Sequence, residues 1–327
     1  LYNAILGRTN DNSSADNQTL LLGALTAAPT VGPYKADGSY RLLNQLYPFS
    51  PDDVINPRAY INEVSKKQLA NKVMANLAFT VKPINDLSIR ISGNITNNDV
   101  RSDNYTSTRY PNSSGSASVS TGNSVYVNSD NIVTYSKTIH KDHQFVAMAG
   151  MTYEHFSSSQ LNASGSGFLS DVTETYNLGA ANTFQTPGSS YLEWTLLSYL
   201  GRLNYIYKNK YLVTVSFRAD GSSRYSDGNK WGYFPSGAIA WRFSEEKFMQ
   251  KLSFVSDAKI RVGYGETGST AIDPYYTLDM LVSGKAPFND ALYTYFAPGT
   301  RLPDKLKWET TAQTDIGLDL GLFNNRI

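Results

Sequence analysis

The sequence predicts an all-β fold, a transmembrane antiparallel β-barrel of which this chain forms one part. Hydrophobicity alternates with a period of two along several segments, as in strands with unlike faces. Short turns and long polar loops alternate between these segments, which is typical of outer-membrane barrels. The longest apolar run, residues 20–28, is far shorter than the roughly 20 residues of a membrane-spanning helix.

Composition excludes several classes of function. The 327 residues carry a net charge of +1 and only 17% charged residues, which argues against nucleic acid as a partner. The absence of cysteine excludes a disulfide scaffold, a thiolate metal site and a cysteine nucleophile. Tyrosine is the commonest aromatic residue, with 23 copies, and aromatic residues line the interfaces of membrane proteins.

Residues 1–327 are interpreted as part of one barrel domain. Residues 1–70 are predicted to be mainly an extracellular loop, because they are polar and interrupted by Pro29, Pro33, Pro48, Pro51 and Pro57. Residues 71–327 are predicted to contain the strands, with long extracellular loops and short periplasmic turns.

The first predicted hairpin pairs residues 73–81 with residues 87–95 across a turn at 83–86. Residues 99–129 are predicted to form a loop rich in Ser, Asn and Tyr. A weak strand at 132–139, a tight turn at 140–143 and a strong strand from Gln144 follow. Residues 162–190 are predicted to form another polar loop.

Residues 199–243 give the clearest pattern. Tyr211, Val213, Val215 and Phe217 alternate with polar or smaller residues, and residues 208–210 are short enough for a hairpin turn before them. A polar loop at 220–230 precedes a third strand that ends near Phe243.

The pattern of the remaining residues predicts a strand at 260–264, a long loop at 268–309 with a short strand at 276–282, and a final strand at 313–322. About nine strands result, whereas bacterial single-chain barrels have even numbers. Further strands are therefore expected in the full-length protein, because an unpaired edge is not viable in lipid.

The two faces of these strands differ in polarity. An apolar face would meet lipid, and the other would line a wet lumen. Charged residues on the less apolar face are Arg90, Arg202, Arg218, Arg242, Arg261, Asp315 and Asp319. Aromatic residues near strand ends, which fit interfacial girdles, are Tyr205, Tyr207, Tyr211, Trp231 and Tyr233.

Four segments resemble the barrel of the SusC/RagA family of TonB-dependent outer-membrane transporters of Bacteroidetes. They are RLNYIYKNKYLVTVSFRADGSSRY (202–225), KWGYFPSGAIAWRFSEEKFM (230–249), AKIRVGYGETGSTAIDPY (258–275) and LKWETTAQTDIGLDLGLFNNRI (306–327). We call the following matching positions the signature residues and expect structural roles for them: Asp220, Gly221, Ser222, Ser223, Arg224, Phe234, Pro235, Trp241, Glu246, Gly265, Gly268, Trp308 and Glu309.

The resemblance implies a 22-stranded barrel whose amino-terminal plug and TonB-contacting segment are absent from this chain. It also implies a location in the outer membrane, a SusD-like surface lipoprotein partner, and non-enzymatic import of a bulky nutrient, an oligosaccharide or a peptide. A passive porin or adhesin-like barrel and a secreted β-rich carbohydrate-active enzyme are the alternatives. A plug and TonB segment in the full gene would exclude the porin, and solubility without detergent would favour the enzyme.

Several motifs suggest chemistry, but none is assigned to it. Gly263, Gly265 and Gly268 match a dinucleotide fingerprint, but no helical pattern follows them. His140, Asp142 and His143 are metal-competent but are expected in a solvated turn. The spacing in residues 220–229 departs from a calcium loop, and adjacent Glu245 and Glu246 point apart in most structures.

No catalytic, cofactor or metal residue is therefore predicted. Loop aromatics available for stacking on a substrate are Tyr105, Tyr110, Tyr126, Trp231, Tyr233, Tyr293 and Tyr295.

Overall fold

The computed structural model describes residues 2–11, 17–43, 55–249, 251–252, 254–270, 272–299 and 306–323. Its strands are β1 (Tyr2–Asp11), β2 (Val64–Ile84), β3 (Leu87–Thr106), β4 (Ser116–Ile139), β5 (His143–Phe168), β6 (Ala181–Phe184), β7 (Gly188–Tyr207), β8 (Tyr211–Ser222), β9 (Trp231–Arg242), β10 (Val255–Ser269), β11 (Leu281–Phe288), β12 (Ala291–Pro298) and β13 (Glu309–Leu322). Its helices are α1 (Asn17–Thr26) and α2 (Pro57–Glu63). No described helix is long and apolar enough to cross a membrane.

Ten strands form one continuous antiparallel path in the order β1-β2-β3-β4-β5-β7-β8-β9-β10-β13. The short strand β6 pairs with the end of β5, and β11 and β12 form a separate hairpin. Within the described residues, β1 and β13 are paired on one side only, so the sheet is not closed. This architecture is a partial barrel wall, as the sequence predicts.

The two faces of the sheet have the polarity that the alternation predicts, with large apolar side chains on the more exposed face. On β8 this apolar face carries Val215, which is 55% exposed, and on β13 it carries Ile316, which is 77% exposed. On the other face, which we call the polar face, Ser198 is 0% and Ser222 is 2% exposed. A water-soluble sheet would bury the apolar face, so this distribution fits a wall that meets lipid.

Two tryptophans mark the limits of the apolar face. Trp231 and Trp241 lie on it at opposite ends of β9 and pair with Gly221 and Tyr211 of β8. Ten strand residues span about 34 Å, or about 25 Å of membrane height at the roughly 40° tilt of barrel strands. That height equals the apolar band of outer-membrane barrels.

Connections are sorted between the two ends of the sheet, as predicted. One end, the turn end, has the connections 85–86, 140–142, 208–210 and 243–254. Positive φ angles at His140, Lys141, Lys208 and Asn209 close two of these hairpins tightly. The other end, the loop end, has the connections 12–63, 107–115, 169–187, 223–230 and 270–308.

Several predicted loops are wrong in part. Residues 1–70 contain β1, both helices and the start of β2, and residues 99–129 are mostly the ends of β3 and β4. Likewise, β5 continues to Phe168 and β7 begins at Gly188 within the predicted loop 162–190. In the predicted loop 268–309, the β11–β12 hairpin lies at 281–298 in place of a strand at 276–282.

The physical reason is that lipid imposes alternation only over about 9–11 residues of a strand. Strand β4 has 24 residues and β5 has 26, so their loop-end halves lie outside the apolar band. There the backbone remains hydrogen-bonded between strands, but the residues are rich in Ser and Asn, a composition that is typical of loops. The ten-strand path consequently exceeds the nine predicted strands chiefly through β1.

Candidate functional site on the polar face

A groove of about 410 Å³ lies on the polar face where β7, β8, β9 and β10 approach the loop end. Its lining includes Leu200, Arg202, Ser216, Arg218, Asp220 and Phe234. The strand alternation places Arg202 opposite Ser216, and Arg218 opposite Phe234, on one face. The groove thus combines guanidinium groups, hydroxyl groups and an aromatic ring.

Arg218 is bound to two neighbouring side chains in this groove. Its Nε lies 2.7 Å from Asp220 Oδ1 and donates to Oδ2 at 2.9 Å, and its Nη2 donates to Ser198 Oγ at 2.9 Å. The Asp220 side chain is 10% exposed, so the guanidinium compensates a nearly buried carboxylate. This ion pair is a structural part of the wall.

Arg202 differs from Arg218 because it has no hydrogen bond or ion pair within the described part of the chain. It lies on the polar face, opposite Met148 and Ser216, and is exposed. Its five N–H donors can bind hydroxyl or carboxylate oxygens of a ligand. The arrangement can therefore bind and guide a polar molecule.

Signature residues from distant segments meet beside this groove. The Trp308 ring lies 5.5 Å from the Phe234 ring, edge to face, and 5.5 Å from the ring of Tyr225, which is 2% exposed. Trp308 Nε1 donates to the carbonyl of Lys230 at 2.9 Å. A Cβ atom at Gly232 would lie 2.6 Å from Phe234 Cζ and 2.8 Å from Trp308 Cγ, so the packing needs glycine there.

The loop 223–230 is tied to β7 by further signature residues. Ser222 N donates to Lys230 O, and Ser223 N donates to Thr195 O, both at 3.0 Å. Thr195 N returns a bond to Ser223 Oγ at 2.9 Å. The Arg224 guanidinium lies 4.7 Å from the centre of the Trp194 ring.

Other signature residues lie elsewhere. At the turn end, Glu246 accepts hydrogen bonds from Lys210 Nζ at 2.9 Å, Tyr211 Oη at 2.8 Å and Trp241 Nε1 at 3.4 Å. The hydrogen bond from Lys210 lowers the pKa of Glu246 below its usual value. Signature positions that take part in strand pairing are Gly221 with Trp231, Pro235 with Phe217, Gly265 with Ser236, and Glu309 with Ser269.

The fingerprint glycines do not form a nucleotide site. Strand β10 runs through Gly263, Gly265 and Gly268, and the described residues 272–280 contain turns and no helix. His140 and Asp142 lie in the hairpin turn between β4 and β5, and His143 begins β5. Among the described residues, no group of three or more His, Asp or Glu side chains is arranged to hold a metal ion.

Two features were missed by the sequence reasoning. Asp171 joins residues 105–108 by hydrogen bonds across more than 60 residues, and no local pattern announces such a partner. Phe156 and Trp194 lie together with Tyr126 on the polar face. Phe156 and Trp194 both have even numbers, and the even-numbered residues of β5 and β7 lie on the polar face. The alternation could therefore have placed both rings on that face from the sequence.

Substitution of Gly268 is expected to disturb the loop end. In Gly268→Ala, the new Cβ would overlap the Phe234 ring and force it from its buried position, which costs roughly 1–2 kcal/mol of stability. Gly263→Ala on the same strand meets only Ala238 Cβ and Gly237 O at 3.7 Å and serves as the control. Equal urea midpoints of the two variants in lipid vesicles would contradict this packing.

Known proteins resemble nearly the whole chain. Residues 6–327 match the family described as "TonB dependent receptor-like, beta-barrel". The chain is 33% identical over 326 residues to TonB-dependent receptor P26 of Formosa agariphila, covering 96% of this chain and 32% of that protein. It is 44% identical over 138 residues to TonB-dependent receptor SusC of Bacteroides thetaiotaomicron, covering 41% of this chain and 14% of SusC.

Solved structures agree in fold. The RagAB peptide importer in its "closed-closed" state matches with a TM-score of 0.81 at 22% identity, over 99% of this chain and 37% of that one. The chain spans about a third of the length of P26. The resemblance inferred from the four segments is confirmed, and the chain belongs to the TonB-dependent receptor-like β-barrel family.

Proposed function

We propose that the protein carrying this chain imports a bulky nutrient, an oligosaccharide, across the outer membrane in a TonB-dependent manner. The observation that carries the proposal is a wall with two unlike faces. The apolar face is bounded by Trp231 and Trp241, and the polar face presents Arg202, which has no ion-pair or hydrogen-bond partner among the described residues. Such a wall separates lipid from a wet conduit. No covalent step is proposed, because binding and passage account for these groups.

The sidedness and domain organisation form part of the proposal. Residues 1–327 would belong to one barrel domain whose loop end is extracellular and whose turn end is periplasmic, as short periplasmic turns are the rule in such barrels. The plug and the TonB-contacting segment would lie in parts of the protein outside these residues. A SusD-like lipoprotein would cover the loop end at the cell surface.

A peptide is the second candidate substrate. It is favoured by the structural likeness to RagAB, which is described as a peptide importer. The polar face offers hydrogen-bond donors that serve either class, since Arg202 can bind hydroxyl groups as well as peptide carbonyls and carboxylates. A passive porin or an adhesin-like barrel would share the same wall but would not depend on TonB.

The test is uptake by intact cells of labelled oligosaccharides and labelled peptides, with and without TonB. We expect uptake of an oligosaccharide to fall to background when TonB is deleted or the proton gradient is collapsed. The native protein, extracted from outer membranes in detergent, should co-purify with a surface lipoprotein. Undiminished uptake without TonB would favour the porin, and recovery from the soluble fraction would contradict the barrel assignment.

A further inference from the structure

Three aromatic side chains form a row on the polar face near the loop end. Tyr126 of β4 pairs with Phe156 of β5, which pairs with Trp194 of β7, so the three lie at one level on adjacent strands. The Phe156 and Trp194 rings are stacked, with centres 5.9 Å apart and planes at 25°. The Tyr126 and Trp194 rings are 6.4 Å apart and tilted by 53°. We call this row the aromatic platform.

Opposite charges flank the aromatic platform. Tyr126 Oη donates to Glu154 Oε2 at 2.9 Å, and the Arg224 guanidinium lies over the Trp194 ring at 4.7 Å. Arg224 Nη1 donates to Ile272 O at 3.3 Å, which leaves other N–H donors of the group for a ligand. The two charged groups in direct contact with the rings, the Glu154 carboxylate and the Arg224 guanidinium, therefore carry charges that cancel.

These large apolar rings are partly exposed on the polar face of the sheet. Tyr126, Phe156 and Trp194 are each only half-buried, on a face that carries polar residues such as Ser158, Ser198 and Asp220 beside the leucines of β7. Packing alone would favour burying such large apolar surfaces fully. A ligand with both apolar faces and polar edges would cover the rings and meet the flanking groups.

We propose that the aromatic platform is a subsite for a neutral pyranose ring of an oligosaccharide. The C–H face of the ring would stack on Phe156 and Tyr126, while its hydroxyl groups would donate to Glu154 and accept from Arg224. The cancelled charge favours a neutral sugar over an acidic one. This inference rests on the proposed function and names the wall residues that would contact the imported molecule.

The distance to the groove supports an extended ligand. Trp194 and Ser198 lie four residues apart on β7, on the same face, which is about 13 Å along the strand. Ser198 accepts a hydrogen bond from Arg218 of the groove. An oligosaccharide therefore reaches both sites, and a single sugar ring does not.

The test measures binding to the native protein purified from outer membranes. Isothermal titration would use a panel of neutral linear hexasaccharides, hexagalacturonate as an acidic counterpart, and mixed decapeptides. The variants are Phe156→Ala and the smaller change Phe156→Leu, which removes the ring but keeps an apolar side chain in the wall if the alanine variant fails to fold. The control is Phe79→Ala on the apolar face, where the ring is 60% exposed.

We expect both Phe156 variants to weaken binding of a neutral hexasaccharide about tenfold, which is about 1.4 kcal/mol, and Phe79→Ala to leave it unchanged. Equal affinity of the original protein and Phe156→Leu would overturn the subsite, as would preferential binding of hexagalacturonate or of peptides, or no binding of any neutral sugar. TonB-dependent uptake is measured separately, so import can persist while the subsite fails.

Discussion

An arginine in place of Val215 is expected to destabilise the protein in the membrane by about 2–4 kcal/mol. Val215 lies on the apolar face of β8, is 55% exposed, and pairs with Leu203 and Gly237. Gly237 is located between Trp231 and Trp241 on β9, so residue 215 lies near the middle of the apolar band. A guanidinium there would be placed in hydrocarbon without a partner, which is the costliest position for a charge on a barrel.

Thr214→Arg provides the matched control one residue away on the polar face. That substitution loses the hydrogen bond from Thr214 Oγ1 to Asn204 Oδ1 at 2.9 Å, which contributes about 1 kcal/mol. The new side chain would nevertheless extend into the wet space. The measurement is the urea dependence of folding into lipid vesicles, read from the gel mobility of unheated samples. A greater loss in Thr214→Arg than in Val215→Arg would reverse the assignment of the two faces.

Much of the fold was predictable because lipid forces a strict pattern on part of each strand. Val213, Val215 and Phe217 alternate with Thr214 and Ser216, and β8 has the faces and register that this alternation requires. Where strands rise beyond the lipid band, both faces meet water and the alternation ends. The sequence consequently predicts loops for the loop-end halves of β3, β4 and β5, although their backbone hydrogen-bond ladders continue.

The contacts around the site were less predictable than the strands. The family resemblance indicates structural roles for Phe234 and Trp308, but only the folded sheet shows that their rings meet beside Gly232. The partners of Asp171 lie 63 to 66 residues earlier in the chain. The polar composition of the loop around Asp171 gives no indication that such partners exist. Long-range side-chain contacts between loops leave no periodic trace in a sequence.

Replacing Asp171 with alanine is expected to lower the free energy of opening of the loop end by about 2–3 kcal/mol, because several hydrogen-bond donors lose their shared charged acceptor. Asp171 accepts hydrogen bonds from Tyr105 Oη at 2.6 Å, Thr108 N at 2.8 Å, and Ser107 Oγ and Thr108 Oγ1 at 2.9 Å. Tyr105 is 4% exposed and would be left with a buried, unpaired hydroxyl. Arg109 also bridges this site to Glu63, with Nη2 3.2 Å from Glu63 Oε2.

The measurement is hydrogen exchange of residues 105–115 and 169–180 in the native protein. We expect faster exchange there in Asp171→Ala, and an unchanged rate in Asp37→Ala. Asp37 is a suitable control because its side chain accepts hydrogen bonds from nearby Ser39, at 2.9 and 2.7 Å, within an exposed turn. Equal protection of both loops in all three proteins would show that Asp171 does not hold them together.

The same carboxylate predicts a dependence on pH. Burial would raise the pKa of Asp171, but the hydrogen bonds from Tyr105, Thr108 and Ser107 outweigh it and lower the pKa from 3.8 to about 2. Because the folded-state pKa is below the unfolded one, the stabilisation of about 2 kcal/mol is present above pH 3.8 and is lost as pH falls toward 2. Pepsin cleavage of the loops, normalised to an unfolded substrate, should therefore accelerate between pH 4 and pH 2 in the original protein. Asp171→Asn has no carboxylate to protonate at this site, so its cleavage should already be fast at pH 4 and change little at lower pH. If the variant accelerated as much as the original protein, the loosening would have to be assigned to another group.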